Sequence, residues 1–203
     1  MKRKEIGVYV TIALVAGMFG GIAGANIPFQ KSNEALIEDF YRTEIATVVS
    51  PHSLRKKLTK GESNIVLVDL RSQEEYETAH IITAVNVPAY KNPNESAYSD
   101  VERIVNSFTE LRAENPGKDI VVYCYSTPCM TGRTIGKMLT EHGIYVKHLG
   151  IGWNEWKYDW DMWNHDGETK VNAVEYISSG AEPGTLPEGE HGEACPIGGE
   201  FGC

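Results

Sequence analysis

The amino-acid sequence predicts an α/β protein in which helices cover both faces of a parallel sheet. Short apolar, β-branched runs that are typical of strands lie at 46–49, 65–70, 84–87 and 120–123. Between these runs apolar residues recur at helical spacing, most clearly from Val101 to Leu111. Strands that alternate with helices indicate parallel pairing, and strands that are apolar almost throughout indicate that both faces of the sheet are covered.

The expected helix ends carry sequence signals of their own. Ser50 stands before a proline, as an N-cap residue does, while Ser72 and Glu75 have the spacing of a capping box. The helix after the last of these strands is expected from Thr134 to Gly143, where a glycine lets the chain leave the helix. The polar stretch 91–96 is interpreted as a loop.

Length and composition suit one domain of ordinary size with appendages at its ends. The chain has 203 residues and a net charge of −9, and basic residues cluster only in the first four positions, so nucleic acid is not expected as a partner. The four cysteines are Cys124, Cys129, Cys195 and Cys203. They show neither the spacing of a four-ligand zinc site nor a haem-attachment motif, so the sequence predicts no metal site and no cofactor.

The first 25 residues have the pattern of an export signal. Lys2, Arg3 and Lys4 precede an uncharged stretch from Ile6 to Ala25, and such a basic start stays in the cytoplasm. The rest of the chain is therefore expected outside the cytoplasmic membrane, in the periplasm or an equivalent space. Cleavage after Ala25 would give a secreted protein, whereas an uncleaved helix over residues 6–25 would anchor the chain in the membrane.

Three further segments are expected after this signal or anchor. Residues 26–45 form a linker and an amphipathic helix, residues 46–166 form the α/β domain, and residues 167–203 form a C-terminal extension. The amphipathic helix, which carries Leu36 and Phe40 on one face, is expected to lie against the domain.

The C-terminal extension combines a short helical pattern with a polar tail. A last helix is expected between Val171 and Ile177, and the tail from Gly180, rich in glycine, proline and glutamate, is expected to be mobile. Cys195 and Cys203 are candidates for a disulfide with each other or for redox exchange with the loop that follows Cys124, and a metal site with His191 is the weaker alternative.

Cys124 is the candidate nucleophile. It follows the buried strand 120–123 directly and precedes a helix, so unpaired backbone N–H groups and the helix dipole are expected to lower the pKa of its thiol. In parallel sheets the ligand site lies beyond the carboxyl ends of the strands, which is where this cysteine is expected.

Four stretches, in order along the chain, resemble the motifs of a rhodanese-like domain. They are Val68-Asp69-Leu70-Arg71, Ala79 to Pro88, Val122-Tyr123-Cys124 and Gly150 to Trp156. The resemblance implies the rhodanese-like fold and a sulfurtransferase in which Cys124 carries a sulfane sulfur as a persulfide. It further implies a small sulfur-containing donor, such as thiosulfate or a persulfide, and a thiol, a protein thiol or cyanide as the acceptor.

The loop after Cys124 departs from the family pattern. Its first arginine gives C-x8-R, whereas the transferases of the family read C-x-x-G-x-R-[ST] and the phosphatases of this fold read C-x5-R. Counted back from the helix end at Gly143, the loop is about two residues longer than in the transferases, which predicts a wider cradle. Phosphatase activity ranks last, because C-x8-R places no arginine at the phosphate-cradle position. The expected substrate contacts are Tyr125, Ser126, Thr127, Met130, Thr131, Gly132 and Arg133.

Cys129 lies inside this loop, five residues after Cys124. It is either a resolving thiol that forms a disulfide with Cys124 or an incidental loop residue. The first interpretation supports an alternative function, a thiol–disulfide or redox-sensing module. A non-catalytic domain whose long loop binds a partner is a further alternative.

Other distinctive residues are expected to be structural. Asp69 and Arg71 resemble a pair that holds strand ends together, and His80 is interpreted as a packed turn residue. Four tryptophans recur at helical spacing and are expected to pack on the sheet; they are Trp153, Trp156, Trp160 and Trp163.

Overall fold

Residues 31–62, 64–164 and 172–186 are described in the computed structural model of the chain. Among them, no helix combines the length and the apolar character needed to cross a membrane. The predicted signal or anchor and the two tail cysteines lie outside the described residues, so those expectations stay predictions.

The chain divides into two compact units after Arg42. Helix α1, Asn33–Thr47, begins in the first unit, where the large apolar side chains of Leu36, Ile37 and Phe40 are exposed. The helix predicted in this segment is present. Its packing against the domain stays a prediction.

A five-stranded parallel sheet forms the centre of the second unit. Its strands are β1 (Val48–Val49), β2 (Ile65–Asp69), β4 (Val85–Asn86), β7 (Asp119–Tyr123) and β8 (Lys147–Leu149), in the spatial order β1-β8-β7-β2-β4. Two antiparallel pairs accompany it: β3 (His80–Ile81) with β9 (Ile177–Ser178), and β5 (Tyr90–Asn92) with β6 (Glu95–Ser96).

Helices cover both faces of this sheet. They are α2 (Pro51–Thr59), α3 (Gln73–Thr78), α4 (Val101–Glu114), α5 (Thr131–Glu141), α6 (Trp153–Tyr158) and α7 (Trp160–Trp163). Phe108 of α4 and Ile135 of α5 pack on one face with Val122, whereas Trp156 of α6 packs on the other face with Val121. The predicted parallel sheet flanked by helices is confirmed.

The predicted helix starts after Ser50 and Ser72 are confirmed by their hydrogen bonds. Ser50 Oγ accepts a hydrogen bond from the backbone N–H of Ser53 at 3.1 Å. The Ser72 backbone N–H donates to Glu75 Oε2 at 3.2 Å, as a capping box requires, and the Ser72 hydroxyl donates to the same oxygen at 2.5 Å.

Three predicted elements differ in the structure. Helix α5 begins at Thr131, three residues before the expected Thr134, because the carbonyl of Met130 already accepts from the Thr134 N–H at 2.8 Å. The tryptophan stretch forms two short helices, because Asp159 has non-helical backbone angles of φ −125° and ψ 39°. Stretch 91–96, expected to be a loop, contributes the β5–β6 hairpin.

The described part of the C-terminal extension is bound to the domain. A single 3₁₀ turn, Ala173–Tyr176, stands where a longer helix was expected, and β9 follows it. Beyond β9, the N–H of Gly180 donates to the carbonyl of Glu77 and the N–H of Thr83 donates to that of Pro183, both at 2.7 Å. The stretch from Gly180 to Pro183, expected to be mobile, is therefore attached to α3 and to the turn after β3.

Candidate active site

Cys124 follows the carboxyl end of β7, a central strand of the sheet. Because side chains alternate along a strand, Cys124 lies on the same side as Val122, facing α4 and α5. Its side chain is only 5 % exposed. The candidate nucleophile is thus placed where parallel sheets bind ligands, but it is buried.

The first turn of α6 binds the loop that begins at Cys124. The backbone N–H groups of Trp153 and Asn154 donate to the carbonyls of Cys124 and Tyr125, both at 2.8 Å. Glu155 adds a third contact, since its Oε1 accepts from the N–H of Thr127 at 2.9 Å. The N–H groups that a helix leaves unpaired at its start are used here to fix the loop.

The two cysteines of the loop form a close thiol pair. Cys129 Sγ lies 3.1 Å from Cys124 Sγ, and both thiols are free. A disulfide bond measures about 2.05 Å, so the pair needs to close by about 1 Å to become covalent.

The pKa of Cys124 is shifted in the direction opposite to the predicted one. Burial, helped by the neighbouring Cys129, raises the pKa of Cys124 to about 12, so the expectation of a readily ionised Cys124 is wrong. Burial also acts to raise the pKa of Cys129, but hydrogen bonds from the hydroxyl and backbone N–H of Thr131, and then from Cys124, outweigh it and bring the pKa below its ordinary value. The donors at the start of α5 therefore favour the Cys129 thiolate.

A network of three hydroxyl groups supports Cys129. Thr131 Oγ1 lies 3.3 Å from Cys129 Sγ, and it also lies 2.7 Å from the Tyr90 hydroxyl and 2.6 Å from the Tyr98 hydroxyl. Sequence reasoning missed both tyrosines, because they flank a stretch interpreted as a polar loop. The one sequence feature that could have indicated them is the presence of a large aromatic side chain at each end of this polar stretch.

We expect the substitution Thr131→Val to raise the pKa of Cys129, because it removes a hydrogen-bond donor to the thiolate. The pH dependence of Cys129 alkylation, followed by peptide mass spectrometry, measures the shift. Thr131→Ser is the matched control, since it retains the hydroxyl; an equal shift in both variants would show that this hydroxyl is not the donor.

The loop side chains expected to contact substrate lie in different surroundings. The Tyr125 hydroxyl donates to Glu75 Oε2 at 2.6 Å, which ties the loop to α3. Thr127 and Met130 are exposed at the surface, and the Ser126 carbonyl accepts from the Cys129 N–H at 3.0 Å. Their contact with a substrate stays a prediction.

The last three of these residues belong to helix α5. Thr131 is the donor described above, and Gly132 is buried against His148, whose Nδ1 would lie 2.9 Å from an added Cβ. The guanidinium of exposed Arg133 donates to the carbonyls of Thr127 and Cys129 at 3.4 and 3.3 Å, so it helps to hold the loop at the helix start.

Asp69, Arg71 and His80 are buried beside the strand ends. Arg71 donates to Asp69 in a buried ion pair of 2.6 Å, and the Tyr123 hydroxyl donates to the same carboxylate at 2.6 Å. The His80 ring stacks on Tyr76 and places its Nδ1 2.7 Å from the Tyr76 carbonyl. None of these groups contacts the thiol pair.

A cavity of about 250 Å³ opens beside the loop. Tyr125, Glu75, Trp153 and Lys157 are among its lining residues, whereas the two sulfur atoms are not. Within the three described ranges, no cluster of His, Cys, Asp and Glu side chains is suited to hold a metal ion.

Comparison with known proteins identifies relatives of the same region. About half of the chain, 104 residues, is 28 % identical to the thiosulfate:glutathione sulfurtransferase of Saccharomyces cerevisiae and covers 72 % of that protein. A stretch of equal length is 29 % identical to the HTH-type transcriptional regulator Rv0324 of Mycobacterium tuberculosis, of which it covers only 38 %. Among solved structures, the BH2092 protein of Bacillus halodurans is 21 % identical, with a TM-score of 0.47 over 73 % of this chain and 88 % of that one.

The family follows from a match that covers four of the five strands of the sheet and the site. The profile of the rhodanese-like domain matches residues 50–159, which run from the start of α2 through β7 and the thiol pair to the end of α6. With the parallel sheet and a cysteine at the end of its central strand, the chain belongs to the rhodanese-like domain family.

Proposed function

We propose that this chain is a sulfurtransferase in which Cys124 accepts the sulfane sulfur. The observation that carries the proposal is a thiol pair, 3.1 Å apart, at the carboxyl end of β7 in a rhodanese-like domain. Relatedness to a thiosulfate:glutathione sulfurtransferase supports thiosulfate as a donor and a small thiol as an acceptor.

The elevated pKa of Cys124 requires a proton acceptor, and Cys129 is placed to be one. As Cys124 Sγ attacks the outer sulfur of thiosulfate, its proton passes to the Cys129 thiolate across 3.1 Å. The S–S bond of thiosulfate breaks, sulfite leaves with the bonding electrons, and Cys124 retains the sulfur as a persulfide. An acceptor thiolate or cyanide then takes that sulfur and restores the Cys124 thiolate.

Cys124→Ser tests the proposal. We expect it to abolish thiosulfate:cyanide sulfur transfer, because serine cannot carry the sulfane sulfur, while the circular dichroism spectrum stays unchanged. Cys129→Ser is the matched control, compared by initial rate with excess cyanide. Loss of the proton acceptor should slow transfer, but it should not abolish transfer, because the substitution also removes one cause of the raised Cys124 pKa. Wild-type turnover in Cys124→Ser would disprove the assignment.

A thiol–disulfide exchange module is the second candidate function. The short distance between the sulfur atoms favours it, because closure to a disulfide requires little movement of the loop. This function predicts that the pair cycles between dithiol and disulfide when an oxidising disulfide is supplied and no sulfane donor is present.

We also propose that the domain acts outside the cytoplasmic membrane. The basic residues Lys2, Arg3 and Lys4 before the uncharged stretch from Ile6 to Ala25 support this location.

A further inference from the structure

Cys129 stands where it can act on a persulfide as well as on a proton. We propose that the Cys129 thiolate attacks the persulfide on Cys124, releases hydrosulfide and leaves a Cys124–Cys129 disulfide. The inference rests on the proposed sulfur transfer to Cys124 and assigns the domain a further activity, the reduction of sulfane sulfur to hydrosulfide.

The geometry brings the attacking sulfur to the inner sulfur of that persulfide. Cys129 Sγ lies 3.1 Å from Cys124 Sγ, the atom to which the sulfane sulfur becomes attached. The Cys129 N–H donates to the Ser126 carbonyl at 3.0 Å, and Arg133 lies 3.3 Å from the Cys129 carbonyl, so the cysteine backbone is held on both sides. Because Cys129 is already in contact with Cys124, whereas an external thiol must first reach this buried sulfur, Cys129 has the advantage of proximity.

The hydroxyl network keeps Cys129 reactive. A threonine hydroxyl has one proton and two lone pairs, and the hydroxyls of Tyr90 and Tyr98 lie close enough to donate to both lone pairs of Thr131. The neutral thiol of Cys129 donates to the Thr131 hydroxyl at 3.3 Å, whereas the Cys129 thiolate accepts the proton of Thr131 in return. The network is polarised toward the sulfur, which stabilises the thiolate that exchange requires.

The step balances without an external oxidant. The Cys129–Cys124 bond forms as the bond between Cys124 and the sulfane sulfur breaks, and the sulfane sulfur leaves with the electron pair. The proton that Cys129 took up from Cys124 passes to the outer sulfur of the persulfide, which frees the Cys129 thiolate and lets that sulfur leave as hydrosulfide. The Cys129 sulfur is oxidised to the disulfide level, while the sulfane sulfur is reduced to hydrosulfide. A dithiol reductant then resets the pair by exchange, becoming a disulfide itself.

The test uses the full chain with Cys195 and Cys203 replaced by serine, so that only Cys124 and Cys129 can form a disulfide or carry added sulfur. The reduced protein is mixed with thiosulfate, with cyanide and thiols absent, and both released hydrosulfide and intact mass are measured. We expect hydrosulfide together with a mass that has lost two hydrogens. The same chain with Cys129→Ser should instead retain one added sulfur atom and release no hydrosulfide.

Three outcomes would overturn the inference, and they separate it from the proposed function. Equal hydrosulfide release by the Cys129→Ser chain, or a stable added sulfur on Cys124 or Cys129 in the paired chain, disproves resolution while sulfur transfer stands. If neither chain gains sulfur nor releases hydrosulfide, sulfur transfer itself fails and the inference fails with it.

A second variant keeps the test independent of any folding defect in Cys129→Ser. Thr131→Val removes the hydroxyl but no sulfur, so hydrosulfide release should be slowed at neutral pH and should recover at alkaline pH, where Cys129 ionises without help. An identical pH profile in Thr131→Val and the parent chain would contradict the proposed role of the thiolate.

Discussion

Asp69→Ala is expected to lower the free energy of unfolding by about 3–5 kcal/mol, the usual effect of removing one partner of a buried ion pair. Asp69 is fully buried and Arg71 is 3 % exposed. The substitution leaves the guanidinium of Arg71 buried with one remaining acceptor among those described, the Ala79 carbonyl at 2.7 Å. It also removes the acceptor of the Tyr123 hydroxyl.

Equilibrium unfolding in urea, followed by tryptophan fluorescence, measures this loss. Asp119→Ala is the matched control, because Asp119 forms an ion pair of similar length with Lys147, 2.8 Å, but both side chains are well exposed. Exposed pairs contribute about 0–1 kcal/mol, so the control should unfold close to the wild-type midpoint. Equal losses in the two variants would mean that burial of the Asp69 pair does not determine its effect.

The strands and the family could be predicted because their signals are local. The apolar run from Ile65 to Leu70 is buried on both faces, and that burial is visible in the sequence as an almost unbroken apolar stretch. The capping box at Ser72 and the glycine stop at Gly143, with φ +71°, are likewise set by neighbours in the chain.

Element boundaries depended on contacts that the sequence does not show. The start of α5 includes Thr131 and Gly132, both weak helix formers, and it is stabilised by packing of Gly132 against Val122 and His148. The expected helix near residue 171 was replaced by a short turn and β9, since pairing with β3 provides the hydrogen bonds that an isolated helix would need.

At the site, the sequence predicted which cysteine would follow the strand but not which would ionise. That choice depends on how much each sulfur is buried and on which donors reach it. Cys124 is buried in the apolar layer between the sheet and α5, whereas Cys129 is half-buried and lies 3.3 Å from the Thr131 hydroxyl. Tyr90 and Tyr98 reach Thr131 only because the β5–β6 hairpin folds back on the domain, a contact across more than thirty residues of chain.

Gly152→Ala is expected to displace the loop after Cys124. An added Cβ at Gly152 would lie 2.2 Å from the Ser126 nitrogen and 2.5 Å from the Tyr125 carbonyl carbon, and both of these are backbone atoms. Since backbone cannot move aside as a side chain can, overpacking should cost about 1–3 kcal/mol of stability or more. The displacement would also disturb the α6 contacts to Cys124 and Tyr125.

The rate of sulfur transfer in Gly152→Ala should fall by more than the loss of folded protein alone would explain. A shift of about 1 Å in a reacting group can cost about 10²-fold in rate, and the 3.1 Å approach of the two sulfurs depends on the loop that Gly152 contacts. Urea unfolding and thiosulfate:cyanide turnover, measured at a temperature where the variant is fully folded, separate the two effects.

Gly136→Ala is the matched control. In α5 its Cβ would make an ordinary contact of 3.6 Å with Val146, so the substitution should stabilise the helix by about 0.5–1 kcal/mol. Full activity in folded Gly152→Ala would show that the close approach of α6 to the loop is not needed to hold the thiol pair together.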